Sequence, residues 1–334
     1  MNDLLSLDLN QLQNIISELG GKPFMAKQLE QWLAKGIVFE EMTNLPKSLR
    51  EALRAGCDEG YAKIVEKHES TDGTVKLLLG MSGGGMVECV IMRYKFGNTL
   101  CVSTQVGCRM GCVFCASGKE GLVRNLSVGE MRSEFIAAQQ FGEIGNVVLM
   151  GSGEPLDNYD NVVSYLRALG ELHGIGMRHI SLSTCGIVPG VEKLMNEGLP
   201  VTLCISLHSA IDEKRKKIMP TAAAFPVKRI LDAADAYFQK TGRRVIIEYT
   251  LIKGLNDGPE DIEALIRALK GMNCHVNVIP LNEAAGALQP PGSGQARAFA
   301  AALEKQGQSA TVRRSLGSDI EGACGQLKLK REKK

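Results

Sequence analysis

Short apolar runs alternating with helical patterns predict an α/β fold of parallel strands, preceded by a small helical module. Three observations carry this expectation. Strand patterns recur at Leu100 to Ser103, Asn146 to Met150, His179 to Ser183, Val201 to Leu207, Val245 to Leu251 and His275 to Leu281. Helical patterns separate them, centred near Phe135, Tyr165, Leu194, Ala233 and Leu265, with one more near Ala300. Residues 1 to about 55, by contrast, read as amphipathic helices. Right-handed crossovers between parallel strands give either an open doubly wound sheet or a full or partial (β/α) barrel. In both, chemistry gathers at the carboxyl ends of the strands.

In chain order, helices are expected over Leu9 to Leu19, Ala26 to Leu33 and, after the turn at Asn44-Leu45-Pro46, Leu45 to Leu53. Two β-rich runs follow, Thr74 to Leu79 and Met86 to Tyr94, with Ser82-Gly83-Gly84-Gly85 between them as hairpin turn residues. They read as a strap between module and main domain. The resulting division is a helical module at 1–70, a hairpin linker at 71–97, a β/α core at 98–318 and a C-terminal loop with a basic tail at 319–334.

With 44% hydrophobic and 23% charged residues, the 334-residue chain is ordinary globular protein rather than disordered or fibrous. It has no basic start followed by an apolar stretch, and no run of about 18 apolar residues. The expectation is a cytoplasmic protein without a membrane partner. A net charge of +2 identifies no partner. Ten cysteines in a reducing compartment point to metal binding or redox chemistry rather than structural disulfides.

The strongest motif is Cys108-Arg109-Met110-Gly111-Cys112-Val113-Phe114-Cys115. Three thiolates in this Cx3Cx2C spacing suit three corners of a cubane [4Fe-4S] cluster and leave the fourth iron without a protein ligand. That iron can chelate the amino and carboxylate groups of S-adenosylmethionine and deliver an electron to its sulfonium, giving a 5′-deoxyadenosyl radical. The competing assignment is zinc, which takes four ligands and would need a distant residue such as His208.

Candidate S-adenosylmethionine contacts stand at successive strand ends. Gly153 permits close backbone approach, and Glu154 can accept from the methionyl ammonium. Ser183 ends the next strand pattern, Ser206-Leu207-His208 the one after, and Asn282 the last. Taken singly, each is also explained as a turn or a helix cap.

Together, Cys108, Cys112 and Cys115, Gly-Glu-Pro, Ser-Leu-His and the terminal Ala-Cys-Gly-Gln-Leu closely resemble the radical S-adenosylmethionine RNA methyltransferases of the RlmN and Cfr families, RlmN more than Cfr. The resemblance runs through Ala26-Lys27-Gln28, Glu41 to Pro46, Thr99 to Ser103 and Arg124-Asn125-Leu126. It implies a radical-SAM-type barrel, a [4Fe-4S] cluster and two S-adenosylmethionines per turnover. Cys324 would be methylated first, Cys101 would be the resolving thiol and Glu88 the proton acceptor. Without the resemblance, Cys101 reads as a small core residue and Glu88 as an exposed strand carboxylate.

The implied product is adenosine methylated at carbon 2 in 23S rRNA, with tRNA as a further substrate. Carbon 8 is the alternative, and a zinc-containing RNA-binding protein is the alternative of another class. Ser152, and the lack of proline in Glu283-Ala284-Ala285-Gly286, depart from the common family pattern. A monomer served by a flavodoxin or ferredoxin is expected. Lys214-Arg215-Lys216-Lys217, Arg243-Arg244 and Arg313-Arg314 are candidates for RNA phosphate contacts, although such runs are more often solvated faces.

Overall fold

Helix α1 (Leu9–Glu18) starts where Asp8 and Gln11 cap each other: Gln11 N donates to Asp8 Oδ1 at 2.8 Å, and Asp8 N to Gln11 Oε1 at 2.9 Å. In the computed structural model, which describes residues 2–220, 224–282 and 288–327, this helix packs with α2 (Met25–Ala34) and α3 (Lys47–Gly56). Leu12 and Ile16, Leu29 and Leu33, and Leu49 and Leu53 recur four apart and are buried together. Each such side chain contributes about 1.5–3 kcal/mol of burial. The short strands β1 (Asn2–Asp3) and β2 (Cys57–Asp58) pair in parallel and close the module. It docks on the main domain through Arg132, whose Nη1 donates to the Leu5 carbonyl at 2.7 Å.

Among the described residues, ten strands form one sheet in spatial order β3 (Lys63–Glu69), β4 (Val75–Gly80), β5 (Met86–Tyr94), β6 (Gly97–Cys101), β9 (Ile144–Leu149), β10 (Ile180–Thr184), β11 (Thr202–Ser206), β12 (Val245–Leu251), β13 (Cys274–Pro280) and β14 (Ala310–Val312). From β6 to β14 every pairing is parallel; from β3 to β6 every pairing is antiparallel. The order has two free ends, so the sheet is an open, partial barrel. Between β6 and β9, the ribbon β7 (Gln105–Gly107) and β8 (Leu122–Asn125) flanks the cysteine loop.

Helices α4 (Val128–Gln139), α5 (Tyr159–Glu171), α6 (Val188–Leu194), α7 (Asp212–Ile218), α8 (Val227–Thr241), α9 (Pro259–Leu269) and α10 (Gln295–Lys305) fill the connections. The two-residue alternation of strands sorts the side chains. On β12, Val245, Ile247, Tyr249 and Leu251 join the main core with Phe135, Tyr237 and Leu265. Glu248 and Thr250, on the other face, line a cavity.

The hairpin expected as a linker is hydrogen-bonded into the sheet as β4 and β5. Ahead of it stands β3, in a stretch the sequence reading assigned to the helical module. Its Lys-Ile-Val-Glu-Lys-His-Glu run is polar and mostly exposed, so no apolar period announces it; charge on an edge strand also discourages pairing with another chain. The stretch 283–286 and the basic tail lie outside the described residues. Among the described residues no helix is long and apolar enough to cross a membrane.

Candidate active site

The cysteine loop leaves β7 and is held by its backbone. Cys108 N donates to the Gly121 carbonyl at 3.0 Å, Cys115 N to Cys112 O at 3.1 Å, and Val113 N to Ile218 O at 3.0 Å. Cys108, Cys112 and Cys115 are free thiols on the wall of one cavity that contains about 1080 Å³ of space between its walls and its mouth. Burial raises the Cys108 thiol to about 11 and Cys112 higher still, and each thiol is opposed further by its neighbours. Such a pocket holds thiolates only against a strong positive charge, which a metal cluster supplies. Among the described residues no group of His, Cys, Asp and Glu is spaced for a single metal ion. Three cysteine donors from one loop suit three corners of a cubane, whereas a structural zinc ion takes four ligands.

The parallel strands deliver the rest of the wall. After β9, Gly153 has φ +108°, and a Cβ there would come within 2.7 Å of Thr104 Oγ1 and 2.8 Å of Gln105 N. Glu154 is buried, which raises its carboxyl, while backbone donors oppose the rise: Cys185 N at 2.7 Å to Oε2 and Leu156 N at 3.0 Å to Oε1. Ser183 and Ser206, on adjacent strands, share a hydroxyl hydrogen bond of 3.2 Å. His208 has a left-handed backbone, φ 57°, and its Nδ1 accepts from Thr250 N at 2.9 Å. Burial lowers its imidazole to about 3, so it is neutral, edge-on to the Phe114 ring at 4.7 Å. An ordinary side chain held in this conformation at a cavity wall is the kind of local strain that accompanies function.

Leu207 departs from expectation. Its side chain is fully buried in the helix-facing core with Leu203 and Ile205, because alternation sends Ser206 and His208 the other way.

The C-terminal loop closes the cavity. Gly325 O accepts from Ala116 N at 2.8 Å, Leu327 O from Ser117 Oγ at 2.8 Å, and Cys324 O from Asn282 Nδ2 at 2.9 Å. Cys324 is exposed as a residue, but what it faces is the cavity; burial among the walls raises its thiol, and Arg313 pulls it down. On its far side, a second, smaller cavity is lined by Cys101, Met92, Tyr94 and Arg314. Cys324 and Arg313 border both. Burial pushes Cys101 up to about 12, again against Arg313.

Glu88 is not on either wall. It is buried on β5 and paired with Lys76 at 3.2 Å.

The family model of the radical SAM superfamily matches residues 102–269, from the end of β6 to the end of α9. That of the ribosomal RNA large subunit methyltransferase N-terminal domain matches residues 2–58, the helical module. The probable dual-specificity RNA methyltransferase RlmN of Clostridium perfringens (strain 13) is 49% identical, over 98% of this chain and 97% of its own. The chain belongs to the RlmN family of radical SAM methyltransferases. Its RlmN relative of the same designation in Symbiobacterium thermophilum is 47% identical, over 99% of this chain and 92% of its own. A crystal structure of a radical SAM methyltransferase from Sphaerobacter thermophilus superposes with a TM-score of 0.93 at 38% identity, covering 98% of this chain and 99% of that one. The cofactors of this RlmN-family enzyme are a [4Fe-4S] cluster and S-adenosylmethionine.

Several side chains of the basic runs have partners within the chain. Arg215 is buried, donating to the Leu207 and Cys185 carbonyls; Lys214 is paired with Asp261 at 2.7 Å and Lys216 with Glu213 at 3.1 Å. Arg243 and Arg244 precede β12, at the end of the strands opposite the cavity, bonded to Thr202 Oγ1 and the Cys274 carbonyl. Arg313, expected on RNA, instead meets Glu248 at 3.4 Å between the thiols. Burial opposes its charge, but Glu248 and the thiol sulfurs more than offset that. Neither residue carried a sequence signal for this pairing. The hint for Glu248 is a carboxylate amid the apolar run Val245 to Leu251.

Proposed function

We propose that the chain methylates carbon 2 of an adenosine in RNA, in 23S rRNA and in tRNA, through a methyl group carried on Cys324. One observation carries this reading: the C-terminal loop brings Cys324 into the cysteine-lined cavity while a second cavity joins it to Cys101. Dual-specificity RNA methyltransferase is the designation of the relatives, and carbon 2 rather than carbon 8 accords with the RlmN name.

Cluster and S-adenosylmethionine supply a 5′-deoxyadenosyl radical when bound. Cys108, Cys112 and Cys115 would hold the cluster. Gly153, Glu154, Ser183, Ser206, His208 and Asn282 would line the S-adenosylmethionine side; Leu207 acts only through its backbone and packing. Carbon 2 of adenine is electron-poor, so it accepts a carbon radical and not a methyl cation. Cys324 Sγ first displaces the methyl of one S-adenosylmethionine, losing its thiol proton and releasing S-adenosylhomocysteine. The methyl then gives up a hydrogen atom to the 5′-deoxyadenosyl radical, leaving 5′-deoxyadenosine, and its carbon bonds to carbon 2. The adduct then loses the ring proton and one electron, the electron to the acceptor that the oxidised cluster would supply when bound; Glu88, expected to take the proton, lies on neither cavity wall and is paired with Lys76. Cys101 Sγ attacks Cys324 Sγ, the sulfur–carbon bond breaks, the released carbon takes a proton to become the methyl group, and a disulfide remains for reduction. Arg313, beside both sulfurs, favours their thiolates. A target adenine must leave its stack to enter, so loops and opened helices are the substrates. We further propose a flavodoxin or ferredoxin as electron donor and a monomer in the cytoplasm.

The test is nucleoside mass spectrometry of 23S rRNA fragments and tRNA incubated anaerobically with the reconstituted enzyme, S-adenosylmethionine and reductant. 2-Methyladenosine is expected with the native chain and none with Cys324→Ala. Sustained turnover by Cys324→Ala, or 8-methyladenosine alone, overturns the proposal.

A further inference from the structure

We propose that the turn between β3 and β4 is a latch that positions the Cys324 loop, with Asp72 and Asp319 as its positioning residues. The proposal rests on the assignment of Cys324 as methyl carrier. After β14 the chain returns across the open side of the sheet to the antiparallel edge, and three contacts hold it there. Gly317 N donates to Asp72 Oδ2 at 2.9 Å, between residues 245 positions apart. Asp319 accepts from Ser70 Oγ at 2.6 Å and from Thr71 N at 3.2 Å. Lys76 Nζ donates to the Glu321 carbonyl at 3.3 Å, three residues before Cys324, and the same ammonium pairs with Glu88.

Both halves of the latch are shaped for each other. On the turn, Asp72 Oδ1 accepts from Thr74 N at 2.9 Å, and Asp72 N donates to Ser70 Oγ at 3.2 Å, so the carboxylate is oriented by its own turn. On the loop, Gly317 has φ 66°, where a Cβ would sit 2.9 Å from Thr74 Cγ2, and Glu321 has φ 51° without being glycine. Gly322 N donates to Gly317 O at 2.8 Å and closes the base of the loop. A left-handed Glu321 costs energy that surrounding contacts must offset, and the Lys76 contact falls on its own carbonyl.

The chemistry explains why the base must be fixed. Cys324 has one sulfur and two stations, the cysteine-lined cavity and the cavity that leads to Cys101. Its tip is held by Ala116 N and Ser117 Oγ, both in the segment just after the cysteine loop. A misplacement of about 1 Å can cost about a hundredfold in such a reaction. The latch fixes the pivot about which the sulfur moves between stations.

The test uses the full chain with Asp72→Asn, Asp319→Asn and both together. In the protein without cluster, alkylation of each thiol by iodoacetamide is followed by mass spectrometry. In the reconstituted holoenzyme, 5′-deoxyadenosine and methylated adenosine are counted in one reaction. The double variant is expected to alkylate Cys324 at least about fivefold faster with Cys274, deep in the parallel half, unchanged, and to form at least about tenfold more 5′-deoxyadenosine per methyl transferred. Asp319→Glu, which keeps a carboxylate, should lie between. Unchanged Cys324 alkylation and an unchanged ratio in the double variant overturn the latch. So does exposure of Cys324 only together with Cys274, which marks general unfolding. Absence of methylated RNA from the native enzyme would instead sink the proposed function, leaving the alkylation result to judge the latch alone.

Discussion

Along β6 to β14 the strands run parallel, and their carboxyl ends bring Glu154, Ser183, Ser206, His208, Asn282 and Arg313 to one cavity. Along β3 to β5 they run antiparallel, contribute Met92 and Tyr94 to the smaller cavity, and spend their polar groups on the chain that returns from β14. The first arrangement collects groups from many strand ends at one place, which is how a fixed binding site is built. The second ties a distant loop to a turn by side-chain hydrogen bonds, which fixes the pivot of the one part that must move. In this chain, the reactive centre and the support of its carrier belong to different topologies of one sheet.

The comparison is broken most severely from the parallel side. Cys112→Ala removes one corner of the cluster, and 5′-deoxyadenosine formation is expected to fall at least about a thousandfold with loss of the brown colour. The latch should not notice, so Cys324 alkylation in the cluster-free protein should match the native rate. A Cys112→Ala chain that keeps its iron and its 5′-deoxyadenosine would refute the cluster assignment. On the other side of Cys324, Cys101→Ala should form 5′-deoxyadenosine yet stop within one turnover. Labelled RNA should then remain covalently attached to the protein, visible as a shifted band on a denaturing gel.

Next in size is the ion pair behind the latch. The side chains of Lys76 and Glu88 are 6% and 2% exposed, so their pairing belongs to the buried class and not to the surface class worth at most about 1 kcal/mol. Lys76→Met is expected to cost about 3–5 kcal/mol in a denaturant melt, with most of the loss recovered in Lys76→Met/Glu88→Leu. Gly153→Ala is the matching change in the parallel half. Its φ of +108° and the 2.8 Å approach to Gln105 N predict a cost of about 1–3 kcal/mol and weaker S-adenosylmethionine binding by calorimetry. If Lys76→Met cost less than Gly153→Ala, the antiparallel edge would be the softer of the two halves.

Legibility in the sequence followed the same division. The strand alternation and the Cx3Cx2C spacing are local, and Cys108, Cys112, Cys115, Glu154 and His208 stand at strand ends where the pattern pointed. Leu207 misled because a motif is read as consecutive residues, whereas a strand end presents every second one. The runs Lys214 to Lys217 and Arg243-Arg244 carry less free charge than a count of residues suggests, because Asp261 pairs Lys214, and carbonyls bond Arg215 and Arg244. Strand β3 was hidden by its polarity. The Arg313–Glu248 pair and the latch join residues 65 and about 245 positions apart, a distance that no local period encodes.

Acid separates the two halves with the smallest effect and the clearest sign. His173, packed against Phe135 at 4.6 Å, lies behind the parallel strands, and burial lowers its imidazole to about 4, with Arg132 adding to the shift. Unfolded, it would titrate near 6.5. Between these values the unfolded chain binds the extra proton, so this stability is fully present above pH 6.5 and drains away as pH falls towards 4. Because His173 is only partly buried by surface area, the loss is of order 1–2 kcal/mol. Asp72 in the latch behaves differently. Burial pushes its carboxyl up, but the Thr74, Gly317 and Ser70 donors outweigh that and hold it at about 2. Its contribution is complete above about pH 4 and is lost only as pH falls from there towards 2. Hydrogen exchange measured from pH 6.5 to 4 should therefore show α4 and α5 loosening while residues 317–322 keep their protection. His173→Phe should flatten that slope, with His208, lowered to about 3, retaining its own share. If 317–322 lost protection first, the latch would owe its strength to something other than these carboxylates.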